Sequence, residues 1–388
     1  LSAGPDTTLH VFLVAGEASG DLHGASFLRA LREIVPHLHA VGIGGPKLRA
    51  AGLQCLYPAE SLAIMGLPSW QEVRKIIAIF RRIKEHFSKN PPALLVLIDF
   101  PEFNLRLARM AKRFGIPVFY YISPQIWAWR TRRVKLIKKV VDRMAVVLPF
   151  EVDFYQKFGY EVHFVGHPLI DVVRPALNRK TFFRLAGLNL AKPLIGIFPG
   201  SRPREIRTLL PLFLEAFEKI KYRRPGIQGV IVKAEGIDDD LIPKIKNPAV
   251  KVVKGYQYEV MAQSEAIMVA SGTVTLEATI VGVPMVVAYK MGKLSYLLAK
   301  RLVKVPYASL PNLLAGKEVV PELLQEKATP DNLAEALLKF LEDKNYADKV
   351  RKGLSQIKET LGPGGASWRA AELAAGLLPQ AKFLISRP

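Results

Sequence analysis

The chain has 388 residues, 50% of them hydrophobic and 23% charged, a balance that excludes wholesale disorder and fits two domains of ordinary size. Its 55 lysines and arginines outnumber 34 acidic residues, and the net charge of +21 points to an anionic partner: nucleic acid, an anionic membrane or a phosphorylated substrate. The single cysteine, Cys55, excludes an internal disulfide and a thiolate metal cage.

In chain order, Val11–Val14 reads as a strand, followed by the glycine loop Gly16–Gly20 and an amphipathic helix from Leu22 to Ile34. Ala40–Ile43 is a second strand, and Ala93–Ile98 is a continuous apolar strand with Asp99 at its carboxyl end. A helix over Leu105–Phe114 and strands at Pro117–Ile122, Arg143–Leu148 and Val162–Val165 complete the first half. The polar, basic stretch Val173–Lys192 is the expected linker. Strands at Leu194–Phe198, Gly229–Lys233, Val250–Val253, Ala266–Ala270 and Pro284–Tyr289 then alternate with helices, and terminal helices are expected near Asp331–Glu342 and Ala366–Leu378. Apolar strands alternating with helices imply an α/β protein with parallel sheets covered on both faces. The expectation is two Rossmann-like, doubly wound domains facing across a cleft: 1–175, 176–360, and a tail at 361–388 able to cross back to the first domain or to a dimer partner.

Ligands of open parallel sheets sit beyond the carboxyl ends of the strands, so the loops there come first. Ala15–Gly24 offers glycines and a helix start for an anion; Ser19 or Asp21 capping that helix is the plainer alternative. Asp99 is placed either for general-base work or as a helix cap. At Pro199–Ile206, Gly200 and Ser201 open a helix and Arg202 adds a planar cation, a combination suited to a diphosphate. Ser271, Gly272, Thr273 and Thr275 surround another helix start, with Glu277 one turn on and able to accept from ribose hydroxyls. His23 and His167 are candidate site histidines or packed ones. Asp238–Asp240 reads as a solvated turn, and no metal site is expected. GxGxxG, Walker A, HExxH and GxSxG motifs are all missing.

Two surfaces stand out. Ser61–Lys84 sets Trp70, Ile76, Ile77 and Phe80 among Arg74, Lys75, Arg81, Arg82 and Lys84, the composition of a helix at a membrane interface or of one with a basic solvent face. Trp127–Lys139 combines two tryptophans with dense basic charge, which suits RNA, acidic head groups or plain solvation. No window reaches the ~18 apolar residues of a membrane span. Leu1–Thr8 has no basic region and no long apolar run, so it does not read as a secretory signal, and the expected compartment is the cytoplasm.

Taken together and in order, the motifs resemble one family. AGEASGDLHG at 15–24, GGPKLRAAG at 44–52, SLAIMG at 61–66, IDFPEFN at 98–104 and YYISPQIWAWR at 120–130 are similar to lipid-A-disaccharide synthases. So are FVGHPLID at 164–171, PGSRPREI at 199–206, SGTVTLEA at 271–278 and PNLLAG at 311–316. The resemblance implies a GT-B fold and inverting transfer of 2,3-diacylglucosamine from its UDP derivative to the 6-hydroxyl of 2,3-diacylglucosamine 1-phosphate (lipid X). The products would be a β-1,6 tetraacyl disaccharide 1-phosphate and UDP, in lipid A biosynthesis on the cytoplasmic face of the inner membrane. It implies no cofactor and no metal, and members of the family can form C-terminally swapped dimers.

On the matching positions, the resemblance assigns Asp99 as base with His23 as its rival. Arg202 and the N–H groups around Ser201 and Ser271–Thr273 would stabilise departing UDP. Glu277 and Asn312 fall on the nucleotide side, Glu17, Ser19 and Asp21 on the acceptor side, and Asn104 among the substrate-binding residues. Ile64, Leu67, Trp70, Ile76, Ile77 and Phe80 would meet the membrane. The alternatives weighed against this reading are another UDP-sugar enzyme (a peptidoglycan-precursor N-acetylglucosaminyltransferase or a UDP-sugar 2-epimerase) and a basic RNA-binding protein.

Overall fold

The computed structural model describes residues 9–59, 70–292, 296 and 305–379. The first sheet is built from β1 (Leu9–Ala15), β2 (Leu38–Gly44), β3 (Gln54–Pro58), β4 (Leu94–Ile98), β5 (Val118–Tyr121), β6 (Arg143–Val146) and β7 (His163–Phe164). The second holds β8 (Leu194–Phe198), β9 (Gln228–Lys233), β10 (Val250–Lys254), β11 (Ala266–Ala270), β12 (Met285–Tyr289) and β13 (Glu322–Leu324). Every residue of β4, β8 and β11 is buried, because helices cover both faces of the parallel sheets and leave no side for polar alternation.

The strand orders are β3-β2-β1-β4-β5-β6-β7 and β10-β9-β8-β11-β12-β13, with all pairings parallel. Each sheet therefore winds outward from its first strand and then restarts on that strand's other side. The restarts, at β1/β4 and at β8/β11, open the crevices where doubly wound sheets bind ligands.

One compact unit runs to Pro168 and resumes at Gly362, and the other is Leu169–Leu361. The boundary thus falls before the one expected at 175. The reason lies in the supposed linker, which contains a helix, Arg179–Leu185, capped by the Asn178 side chain accepting from Thr181 N–H at 3.0 Å. Phe182 and Phe183 of that helix are fully buried in the second core. Of its basic residues, Lys180 and Arg184 face solvent, whereas Arg179 lies over the Phe183 ring and donates to the Gln263 carbonyl at 3.1 Å.

The last described helix, Ala366–Ala375, lays alanines against the helix Ala18–Ile34. Arg369 fastens it by donating to the Val165 carbonyl at 2.7 and 3.0 Å, and Arg143 donates to the Leu373 carbonyl at 2.8 Å.

Several elements were not expected from the sequence, among them two strands and a long helix. β3 is an edge strand of alternating exposed and half-buried residues, and β13 is three residues long. The helix Lys344–Thr360 buries only Ala347, Val350, Leu354 and Ile357 among charged neighbours.

Candidate active site

At the first crevice, β4 delivers the chain to Asp99 and Phe100, both with φ of 47°, a left-handed conformation that non-glycine residues adopt at a cost. Neighbours hold the turn. Asp99 N–H donates to the Tyr121 carbonyl at 3.1 Å, and the Asp99 carbonyl accepts from Tyr120 Oη at 2.5 Å and Asn104 Nδ2 at 2.6 Å. Asn104 also donates to the Ile98 carbonyl at 3.2 Å. It is fully buried, and through these two bonds it fixes the Asp99 turn. The Phe100 ring lies across Gly16, where an added Cβ would stand 2.4 Å from a ring carbon.

This packing sets the chemistry of Asp99. Burial, and then the negative charge of Glu17, push its carboxyl up to about 6 against the opposing pull of the Phe100 N–H. A carboxyl near 6 is ionised at neutral pH yet basic enough to accept a proton from a reacting hydroxyl. His23 is buried, and burial followed by Lys47 lowers its imidazole to about 4. The buried His167 falls to about 3 through burial and the nearby His23. Of these groups Asp99 is the best matched to proton abstraction at neutral pH.

Glu17 and Ser19 are exposed at the start of the helix Ala18–Ile34. Asp21 has a different task from the one expected. Its carboxylate accepts from the N–H groups of Gly45, Lys47 and Leu48 at 2.8, 2.9 and 3.0 Å. It therefore caps the helix Pro46–Ala50, and both of its oxygens are engaged by backbone.

The second crevice is built differently. After β8, Gly200 has φ of 115° and passes within 2.5 Å of Glu205 Oε2 when given a Cβ. Glu205 reaches back to accept from Ser201 N–H at 3.2 Å. The anion position expected at Ser201 therefore already faces a carboxylate, as in a capping box. Arg202 remains 76% exposed, 3.5 Å from Glu205. After β11, Ser271 extends the strand and its hydroxyl donates to the Ala308 carbonyl at 2.8 Å. Gly272 and Thr273 are exposed at the start of the helix Thr273–Val281, and nothing lies within 4 Å of a Cβ built on Gly272. Thr275 closes the first turn by donating its hydroxyl to the Gly272 carbonyl at 2.7 Å. One turn further, Glu277 accepts from Tyr258 Oη at 3.3 Å, and burial raises its carboxyl.

Asn312 is fully buried and pins the segment at 319–322. It accepts from the N–H groups of Val319 and Val320 at 2.7 and 3.0 Å and donates to the Val320 carbonyl and to Glu322 at 2.8 and 2.9 Å. Its amide is fully engaged by these four bonds, so in this structure it shapes the segment after it through the fold. Glu322 in turn accepts from Ala308 N–H and from both N–H and hydroxyl of Ser309. Neither Glu205 nor Glu322 was expected from sequence. Glu205, three residues after the helix cap, carried a readable signal; Glu322 carried none.

On the helix Trp70–Lys89, Ile79, Ile83 and Phe87 form a buried stripe at i, i+4 and i+8. Phe80 lies with its ring centre 4.6 Å from that of Phe103, tilted by 36°, and packs on the core, contrary to the membrane role expected for it. Ile76 is half-buried, whereas Trp70 and Ile77 are 72% and 55% exposed. Ile64 and Leu67 lie outside the described residues, as does the SLAIMG motif. Trp127 is buried and donates to Glu151 at 3.2 Å, which removes it from any base-stacking surface. Among the described residues no helix is long and apolar enough to cross a membrane, and no three His, Cys, Asp or Glu residues cluster to hold a metal.

The family model described as lipid-A-disaccharide synthetase matches residues 11–374. The lipid-A-disaccharide synthase of Geobacter sulfurreducens is 44% identical over 377 residues, covering 96% of this chain and 98% of its own. The enzyme of that name from Coxiella burnetii is 40% identical, covering 95% and 98%. Two solved structures share the fold at low identity. The calicheamicin glycosyltransferase aligns with a TM-score of 0.63 at 17% identity, covering 97% of this chain and 99% of its own. The UDP-GlcNAc 2-epimerase of Neisseria meningitidis, bound to UDP-GlcNAc, aligns at 0.62 and 15%, covering 94% and 98%.

Proposed function

Because the chain belongs to the lipid-A-disaccharide synthase family, we propose that it transfers 2,3-diacylglucosamine from UDP-2,3-diacylglucosamine to the 6-hydroxyl of lipid X. The observation that carries the mechanism is the Asp99 turn, a basic carboxylate fixed at the switch point of the first sheet. Asp99 takes the proton from the acceptor hydroxyl as that oxygen attacks the anomeric carbon. The bond to UDP breaks on the opposite face, giving inversion with no covalent intermediate.

Negative charge grows on the departing diphosphate. Arg202, exposed and only loosely paired, and the open helix start at Gly272–Thr273 are the groups that would meet it. Glu277 would accept from the ribose hydroxyls. In this reading these groups stabilise the leaving group without a metal or cofactor.

The acylated substrates would be met at the cytoplasmic face of the inner membrane. Trp70 and Ile77, flanked by Arg74, Arg81 and Arg82, supply an apolar and cationic contact there. A homodimer would form by exchange of the helix Ala366–Ala375, now packed on its own chain.

Turnover of UDP-2,3-diacylglucosamine with lipid X in detergent micelles tests the reaction, with UDP and disaccharide both measured. Equal amounts of the two products, lost in Asp99→Asn and Arg202→Ala, are expected. UDP binding without disaccharide would mean a different acceptor, and no UDP binding would overturn the glycosyltransferase reading.

A further inference from the structure

A groove of about 370 Å³ runs between the helix Pro101–Arg113 and the turn and helix at Thr131–Val140, inside the first unit. Pro101, Leu105 and Leu136 line it with Arg106, Arg109, Arg132 and Arg133, and its one carboxylate, Glu102, is taken up by Arg130 and Arg133. Arg106, Arg109 and Arg132 are exposed, and none makes an ion pair or hydrogen bond among the described residues. Arg133 is held in place: it and Arg130 both pair with Glu102, and Arg130 lies 3.8 Å over the Trp129 ring. Three unpaired guanidinium groups around one concave site repel one another, and such a cluster is relieved by an anion.

Charge, polarity and position indicate which anion. Several arginines match a phosphate monoester, which carries close to two negative charges and three acceptor oxygens, better than a singly charged diester. The apolar lining suits an anion with hydrocarbon attached. The groove begins at Pro101, two residues after Asp99, and Arg106 stands about 7 Å further along the helix axis. Arg132 and Arg133 precede their helix and so lie toward the ligand-bearing end of the sheet.

We infer that this groove binds the phosphate monoester of the acceptor while the hydroxyl of the same sugar is presented to Asp99. The inference rests on the transfer reaction proposed above and adds a determinant of acceptor choice: Arg106, Arg109 and Arg132 select an acylated sugar 1-phosphate over its unphosphorylated counterpart.

The test compares two acceptors, lipid X and 2,3-diacylglucosamine without phosphate, in neutral detergent micelles. The wild type is set against Arg106→Ala/Arg109→Ala and Arg132→Ala, with unchanged thermal unfolding as the control for folding. The wild-type preference in kcat/KM for lipid X is expected to fall about tenfold in each variant, through KM for lipid X, while KM for the UDP-sugar stays the same. An undiminished preference, or an equal loss on both acceptors, would overturn the inference. So would loss of binding to phosphatidylglycerol vesicles with the preference intact, since the groove would then hold a bilayer head group. If the wild type transfers to neither acceptor, the reaction reading fails by itself. Calorimetric titration of glucosamine 1-phosphate still decides the groove: binding abolished by the substitutions supports it, and wild type failing to bind overturns it.

Discussion

The two crevices occupy the same topological position and are built from opposite materials. At β1/β4 the loop is closed: Phe100 covers Gly16, Asn104 and Tyr120 brace a strained turn, and the functional residue Asp99 is half-buried. At β8/β11 the loop is open, with Gly272 and Thr273 exposed and Arg202 extended into solvent. Shielding raises the basicity of a carboxylate, which a proton acceptor requires. Exposure leaves backbone donors and a cation free for a large anionic ligand that brings its own charge. One fold thus supplies a tuned base from a packed turn and an anion site from an unpacked one.

The largest test of this contrast is Asp99→Asn, expected to lower kcat by about 10²- to 10⁴-fold with little change in KM for the UDP-sugar. The same variant should unfold at a higher temperature at pH 8. The folded carboxyl titrates near 6 and the unfolded one near 3.8, so ionisation costs stability above pH 6. The gain from removing the charge should shrink as pH falls through 6 and vanish near 4. Arg202→Ala should lower kcat by about 10²-fold while melting like the wild type, because its side chain is exposed.

The pH profile separates the rival bases. With Asp99 acting, kcat/KM should fall about tenfold per pH unit below 6; an acid limb near pH 4 would point to His23. Gly16→Ala should destabilise the protein and disturb Asp99, since the new methyl meets the Phe100 ring. Gly272→Ala should fold normally and weaken only UDP binding, read by calorimetry. The smallest effect on stability, within about 0.5 kcal/mol, is expected for Trp70→Ser/Ile77→Ser, which should nonetheless reduce sedimentation with anionic vesicles. Phe80→Ser should lower the melting temperature instead, because that ring packs on Phe103.

Much of the site was legible because topology places function at strand ends. A carboxylate directly after the apolar run Leu94–Ile98, and glycine loops after Phe198 and Ala270, are visible in one dimension. Which polar residues are engaged by the fold was not. Asp21 sits in a glycine loop like a ligand-binding residue, yet its partners are 24 to 27 residues away on another helix. Asn312 and Glu322 form a buried network between segments that sequence cannot juxtapose. The helix Trp70–Lys89 shows the same limit at a surface: Phe80 and Ile77 have similar composition around them, and only packing decides that one is core and the other exposed.

By itself the sequence determined the alternation of buried strands and helices, hence two doubly wound sheets, and the order of motifs that marks the family. Hydrophobic periodicity and loop chemistry are local properties, and local order along the chain is enough to encode them. Tertiary structure decided that Phe182 and Phe183 belong to a core, that the last described helix returns to the first unit, and that Asp99 is basic while Asp21 is a cap. Those outcomes depend on burial and on partners remote in sequence, and a carboxyl's role follows from what surrounds it once the chain has closed around it.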